Sequence, residues 1–368
     1  MRILFFSTFF DFRGEPTNLA DEVLALIKLK PETEYLVYTV GPFNKKNRVI
    51  KYSRNIILVE RKNLRDPKVF FLFLKDMKKI FIKFKPQIIH SVYVIESLIM
   101  GIIGKIFRTP SIMHGRGTDV NYFPFKRLKS FILAKFAFKL NNQIITVSKS
   151  MKNDIMRLKV PSNKIIPIYD GLDFSDFPLK KREEKSKGEK FEILHANRFS
   201  PEKRQDLIIE VCSELRENNV NFHLTFIGYG LLEEELKTLI KKNNLENWIT
   251  MAGFIEHRRV YEFMQKADLY IQPSETEGMP KSVYEAMYME LPIVMTNVGG
   301  MSELNIKPGT ILIEVNNKEQ LYNAIITYMN DPKKRKLGGR KNRQFILKNF
   351  NWELHAKKLY GLYKDLRK

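Results

Sequence analysis

The densest run of chemically capable residues lies between Ala267 and Glu303. Pro273-Ser274 is followed there by Glu277-Gly278-Met279-Pro280, then by Glu285-Ala286-Met287, Leu291-Pro292-Ile293-Val294 and Gly299-Gly300. The apolar run ending at Pro273 reads as a strand and the polar stretch after it as a turn. Pro280 suits the first position of a helix, where its missing N–H costs nothing. Amides at such a helix start face the turn that holds Glu277 and Gly278, a ready site for hydroxyls or anionic groups. The eight positions from Glu277 to Glu285 would span roughly 12 Å if wholly helical, about the reach from ribose to sugar in a nucleotide sugar. Taken alone, Glu285 reads equally as a capping or salt-bridging carboxylate.

These residues need a scaffold, and the surrounding pattern supplies one. Short β-branched or aromatic runs at 3–7, 35–40, 56–59, 88–91, 111–114 and 143–147 alternate with longer amphipathic stretches. Apolar strands separated by helices imply a parallel sheet covered on both faces. A second series follows at 191–196, 222–227, 249–252, 269–272, 293–296 and 310–315. Between the two series, Leu179 to Lys190 has almost no apolar residue and reads as a solvated linker. The expected organisation is an α/β chain of two doubly wound domains, 1–172 and 191–350, joined by a linker at 173–190. The stretch 351–368 has its apolar residues on one helix face and is expected to pack back on the first domain. In such sheets ligands bind outside the carboxyl ends of the strands, and two of them facing across a cleft let two substrates meet.

Composition narrows the function classes. With 368 residues, 44% hydrophobic and 28% charged, the chain is long enough for two cores, which excludes a disordered chain or a single small module. The one cysteine, Cys212, permits no internal disulfide, and six scattered histidines complete no spaced metal motif. A reducing compartment, and hence the cytoplasm, fits best. No apolar run is long enough to span a bilayer, and the basic then apolar start reads as a buried strand rather than a signal peptide.

The net charge of +22 is uneven: residues 1–172 hold 31 basic and 13 acidic side chains, against 32 and 28 in the remainder. Lys68 to Lys85 and Phe123 to Lys139 concentrate the excess among Phe, Leu and Ile, and both resemble basic amphipathic helices. They read either as surface helices with a core-facing apolar side or as elements that contact an anionic membrane. A nucleic-acid partner would also answer a basic half, but no helix-turn-helix, zinc or RNP signature is present.

The pattern from Pro273 through Glu303 resembles the E-x7-E region of retaining glycosyltransferases of family GT4, which have the two-domain GT-B fold. Asn197-Arg198-Phe-Ser-Pro-Glu-Lys203 is similar to the family's Arg-x4-Lys phosphate motif, and Phe226-Ile-Gly228-Tyr-Gly230 to its Gly-x-Gly turn. His114-Gly115, Thr146-Val147-Ser148 and Asp170-Gly171-Leu172-Asp173 match looser first-domain signatures. The resemblance implies transfer of a sugar, with retention, from a nucleotide-diphosphate sugar to a glycan or lipid-linked glycan at the inner membrane face. Arg198 and Lys203 would hold the departing diphosphate in place of a metal, since the sequence contains no Asp-x-Asp; no cofactor and no essential metal are expected. Glu285 would bind the ribose, Glu277 a donor-sugar hydroxyl, and the loop around Gly278, Met279 and Lys281 would assist, with Gly228 and Phe254 also on the donor side. His114 would face the donor sugar from the first domain; His90, at another strand end, is a weaker candidate. No protein general base is implied, because the leaving phosphate takes the acceptor proton. The first loop departs from the family, offering Gly14 alone where relatives often carry Gly-Gly, with Arg13 beside it. A sugar-nucleotide epimerase of the same fold is the alternative reading.

Overall fold

In the computed structural model the apolar runs form strands buried on both faces, and period-two alternation sends successive side chains to opposite layers. The structure describes residues 1–7, 16–40, 56–61, 67–117, 120, 123–172, 174 and 188–367. The chain divides into two units, Met1–Gly171 with Phe350–Lys368, and Leu172–Asn349. Most of the expected linker at 173–190 lies outside the described residues.

In the first unit the strands are β1 (Arg2–Ser7), β2 (Glu34–Val40), β3 (Ile56–Arg61), β4 (Ile88–Val92), β5 (Ser111–Gly115), β6 (Gln143–Thr146) and β7 (Ile165–Pro167). They form a parallel seven-stranded sheet in the order β3-β2-β1-β4-β5-β6-β7. Ile3 and Phe5 face a layer made by Leu19, Val23 and Leu26 of helix Pro16–Leu29 and Ala356, Leu359 and Tyr363 of helix Trp352–Arg367. Leu4 and Phe6 face the other way, onto Phe73 and Met77 of helix Pro67–Lys83 and Met100 and Ile103 of helix Val94–Ile106. Strand β7 escaped the sequence reading because it is three residues long and ends in Pro167. An edge strand tolerates that proline, since one side of its ladder needs no donor.

Both basic amphipathic segments form helices, Pro67–Lys83 and, after a short turn at Phe123–Lys126, Leu128–Leu140. The core accounts for only part of their apolar content. Phe73, Met77, Ile80 and Phe81 are buried, whereas Phe71 is 69% exposed and Leu128 is 76% exposed. Among the described residues no helix is long and apolar enough to cross a membrane.

The second unit repeats the plan with β8 (Phe191–Ala196), β9 (Phe222–Ile227), β10 (Ile249–Met251), β11 (Leu269–Gln272), β12 (Ile293–Thr296) and β13 (Thr310–Ile313). Its order is β10-β9-β8-β11-β12-β13, all parallel. In both sheets the winding reverses between the first and fourth strands, so the crevices lie at the carboxyl ends of β1 and β4 and of β8 and β11.

The C-terminal helix is part of the first core. Leu359→Ala is expected to lower the stability of that unit by about 2–5 kcal/mol in denaturant unfolding, as for other buried leucines; a loss under about 0.5 kcal/mol would show that the helix merely rests on the surface.

Candidate active site

At the second reversal, the chain leaving β8 runs through Asn197 and Arg198 into a single 3-10 turn, Pro201–Lys203, before helix Gln205–Glu217. The chain leaving β11 passes through Pro273 to Glu277 and enters helix Lys281–Tyr288 with Pro280 as its N-cap, so the helix begins one position later than the sequence implied. Glu277 therefore lies in the turn, and the segment to Glu285 is helical only in its second half.

The two loops are clasped by a largely buried ion pair, with a second, more exposed one beside it. Lys203 Nζ donates to Glu277 Oε1 at 2.6 Å, with both side chains largely buried. The same oxygen accepts from Gln272 Nε2 at 2.7 Å and Ser274 Oγ at 2.8 Å. Gln272 is held in turn by Asn197, whose Nδ2 donates to Gln272 Oε1 at 2.6 Å. A second bond joins the loops through backbone, Glu275 N to Glu202 O at 2.8 Å, and Arg204 Nη1 reaches Glu275 Oε1 at 3.1 Å. A carboxylate with three donors on one oxygen has a fixed orientation.

Glycines let backbone lie against backbone around this clasp. Gly300 N donates to Gly278 O at 2.8 Å. Gly299 has φ +51°, and a Cβ there would stand 1.9 Å from Glu277 O. At Gly228, with φ +142°, a Cβ would stand 1.8 Å from Asn197 O. Both loops are thus shaped by turns from neighbouring strands, which is why the Gly-Gly and Gly-x-Gly motifs accompany the charged ones.

Arg198 sits differently from Lys203. Its side chain is 71% exposed, with Nη2 3.3 Å from Glu202 Oε1. Glu285 is buried inside its helix, and His257 Nε2 lies 2.8 Å from its Oε1. Phe254 is 72% exposed and meets Tyr229 edge to face, ring centroids 5.6 Å apart. Met279 and Lys281 are half-buried beside the turn. Gly14 and Arg13 lie outside the described residues.

Several supporting residues carried no recognisable signal. His195 Nδ1 lies 2.9 Å from Ile271 O, and Gln205 Nε2 lies 3.2 Å from His195 Nε2 while also donating to Arg198 O at 3.0 Å. Burial pushes His195 down to about 4, so it is neutral and serves as a hydrogen-bonding post beneath the loop. His257 and Gln272 are likewise unmarked by motif, and Asn197 only adjoins one; position at a strand or helix end is the one signal that singles them out.

In the first unit His114 is at the end of β5, fully buried among Glu22, His90, Arg116 and His355. His90 Nε2 lies 3.2 Å from His114 Nδ1, and Tyr363 OH lies 2.6 Å from His90 Nδ1. Arg116 Nη2 bonds Glu22 Oε2 and lies 3.6 Å from Asp170 Oδ1. Burial alone would raise Glu22, but Arg116 leads attractions that hold it well below the usual carboxylate range. Burial, opposed by the Glu22 carboxylate and reinforced by Arg116, brings His90 down to about 4. Burial and then Arg116 hold His114 well below its ordinary value. Glu22, His90 and His114 have the spacing of a metal triad, as do Glu22, Asp170 and His355. The Arg116 guanidinium bonds Glu22 Oε2 and faces the His114 ring, so a fixed positive charge already sits among these donors and opposes a metal ion there.

A family model described as "Glycosyl transferases group 1" matches residues 176–345, and one described as "Glycosyltransferase Family 4" matches residues 23–176. An uncharacterized glycosyltransferase of Methanocaldococcus jannaschii is 28% identical over 286 residues, 76% of each chain. The amylovoran biosynthesis glycosyltransferase AmsK of Erwinia amylovora is 30% identical over 45% of this chain and 42% of its own length. Among solved structures, Anabaena HepE in complex with UDP superposes with TM-score 0.81 at 18% identity, covering 99% of this chain and all of that one. Sucrose-phosphate synthase of Thermosynechococcus elongatus gives TM-score 0.81 at 18% identity over 99% and 98%.

Two outcomes follow from the site. Because His90 and His195 have folded values near 4, below the unfolded 6.5, the folded state binds fewer protons between those limits. Stability is fully present above pH 6.5 and is lost as pH falls toward about 4; a melting temperature that stays flat across that window would refute the neutral buried histidines. Arg116→Ala strands Glu22 and is expected to cost about 3–5 kcal/mol in denaturant unfolding. A cost under about 1 kcal/mol would mean that Glu22 does not depend on its guanidinium.

Proposed function

Since the chain is a glycosyltransferase of the GT4 type with the GT-B fold, we propose that its second-unit site binds a nucleotide-diphosphate sugar and transfers the sugar with retention. The observation that carries this reading is the Lys203–Glu277 clasp at the reversal of the second sheet. When the bond from the anomeric carbon to the phosphate oxygen breaks, positive charge develops on the carbon and negative charge on the diphosphate. Lys203, held in place, and Arg198, exposed and able to swing, supply fixed and mobile cations for that negative charge, with no metal ion required. Amides at the start of helix Lys281–Tyr288 add partial positive charge.

Glu277, oriented by Gln272 and Ser274, accepts a donor-sugar hydroxyl. Glu285, steadied by His257, accepts from the ribose. Phe254 with Tyr229 offers an exposed aromatic face for the base. The acceptor proton passes to the departing phosphate, so no carboxylate serves as general base. His114 is given no donor contact, because its ring is fully buried and both of its nitrogens face His90 and Arg116. The UDP held by HepE supports a nucleotide-sugar donor, and the amylovoran biosynthesis named for AmsK is consistent with a glycan acceptor. The acceptor is a glycan or lipid-linked glycan at the inner face of a membrane. The basic first unit, with lysines among exposed Phe, Leu and Ile, supports docking there.

The test is release of nucleoside diphosphate from uridine, guanosine and adenosine diphosphate sugars in the presence of extracted glycolipid acceptor. Lys203→Ala is expected to lower the rate about 10²-fold or more and Arg198→Ala about tenfold. Lys237→Ala, on the solvent face of helix Glu233–Lys242 in the same unit, should leave it unchanged. Full activity in the Arg198 and Lys203 variants would overturn the reading; Arg198 is exposed, so its removal does not endanger folding.

A further inference from the structure

The C-terminal end of helix Leu128–Leu140 and the segment 158–164 enclose a groove of about 470 Å³ that the transfer site does not use. Lys135, Lys139, Lys159 and Lys164 line it, with no carboxylate among the lining residues. Phe136 and Leu158 are among the side chains that give it an apolar wall. Lys164 is half-buried and donates to Lys139 O at 3.1 Å. Burial, and then the nearby Lys105, push its ammonium below the ordinary lysine value. Cations gathered without a counter-charge repel one another, and an anion placed among them relieves that repulsion.

The apolar component distinguishes the kind of anion. A bare phosphate would satisfy the lysines but leave Phe136 and the wall beside it in water. A phosphate that carries a hydrocarbon chain uses both. The helix also presents Leu128, Ile132 and Phe136 outward at four-residue intervals, one exposed stripe that ends at the groove. The neighbouring helix Val94–Ile106 exposes Ile102 and Ile106, and Phe107 after it stacks on Phe81 of helix Pro67–Lys83 with centroids 4.1 Å apart. Exposed apolar side chains and lysines thus extend across three successive helices. That is the composition of a surface resting in a bilayer interface.

We propose that this groove is a headgroup site for an anionic phospholipid. The phosphodiester sits among Lys135, Lys139, Lys159 and Lys164, and the acyl chain runs along Phe136. The inference rests on the reading that the first unit docks on an anionic membrane, and gives that docking a specific seat.

Co-sedimentation of the full chain with phosphatidylcholine vesicles, with and without phosphatidylglycerol, tests it. The wild type is expected to bind the phosphatidylglycerol vesicles selectively. Lys139→Glu with Lys164→Glu should weaken that binding about tenfold or more, given roughly 1 kcal/mol per lysine at a membrane surface. Lys28→Glu with Lys364→Glu, the same charge change on the opposite layer of that unit, should weaken it less than about threefold. Equal losses in the two double variants would overturn the groove site while leaving membrane docking intact. A wild type that ignores phosphatidylglycerol would overturn both. Soluble dihexanoyl phosphatidylglycerol should raise the melting temperature of the wild type and not of the groove variant. An equal rise with inorganic phosphate, or selective capture of a polyprenyl phosphate in place of phosphatidylglycerol, would contradict the phospholipid assignment. Affinity for uridine diphosphate should be the same in all variants, which confirms that the second unit is folded.

Discussion

The ion pair between Lys203 and Glu277 is the constraint on which the second unit's chemistry depends. Each partner leaves a different strand on either side of the point where the winding reverses, so the pair sets the relation between the two loops. Taking both charges largely out of water costs several kcal/mol, and the pair is sustained because Gln272 and Ser274 also donate to the carboxylate. The backbones of the loops are constrained independently, by close approach of the glycine turns at 228–230 and 299–300. A charged centre held by hydrogen bonds and a glycine-packed backbone is what electrostatic stabilisation of a leaving group requires, because little reorganisation remains to be done during reaction.

The first unit has a comparable economy of buried charge at the ends of its strands. Glu22 comes from the first helix, His90 and His114 from neighbouring strands, Arg116 from the turn after β5, and His355 with Tyr363 from the C-terminal helix. Glu22 and Arg116 balance each other, with Asp170 beside the guanidinium, while burial keeps the His90 and His114 rings neutral. The last helix thereby does two things: Leu359 and its neighbours fill the core, and His355 and Tyr363 complete the polar cluster. Gly171 shows how closely this region is fitted, since a Cβ there would stand 2.5 Å from Trp352 N.

Much of this was legible in sequence because it depends on local pattern. Runs such as Phe222–Ile227 and Ile293–Thr296 mark their own strands, and the turn, glycine and helix-start residues around Glu277 mark the loop after β11. Long-range partners were not legible. Nothing near Glu285 in the chain points to His257, and nothing near His114 points to Glu22 or His355; these pairs arise only when the sheet brings distant segments together. Arg198 and Lys203 are equivalent as motif members, yet one lies in solvent and the other in a buried pair, a distinction set by the 3-10 turn between them. The basic segments were ambiguous for a similar reason. Their sequences contain more apolar residues than one core-facing side needs, and only the packing shows which of them remain outside.

The most direct measurement is a double-mutant cycle on uridine diphosphate affinity, using calorimetry on the wild type, Lys203→Met, Glu277→Gln and the pair. If the carboxylate holds the ammonium where the diphosphate needs it, the two changes are coupled by about 1 kcal/mol or more. Effects that add within about 0.5 kcal/mol would show that the two residues act independently, and the clasp would lose its place at the centre of the mechanism.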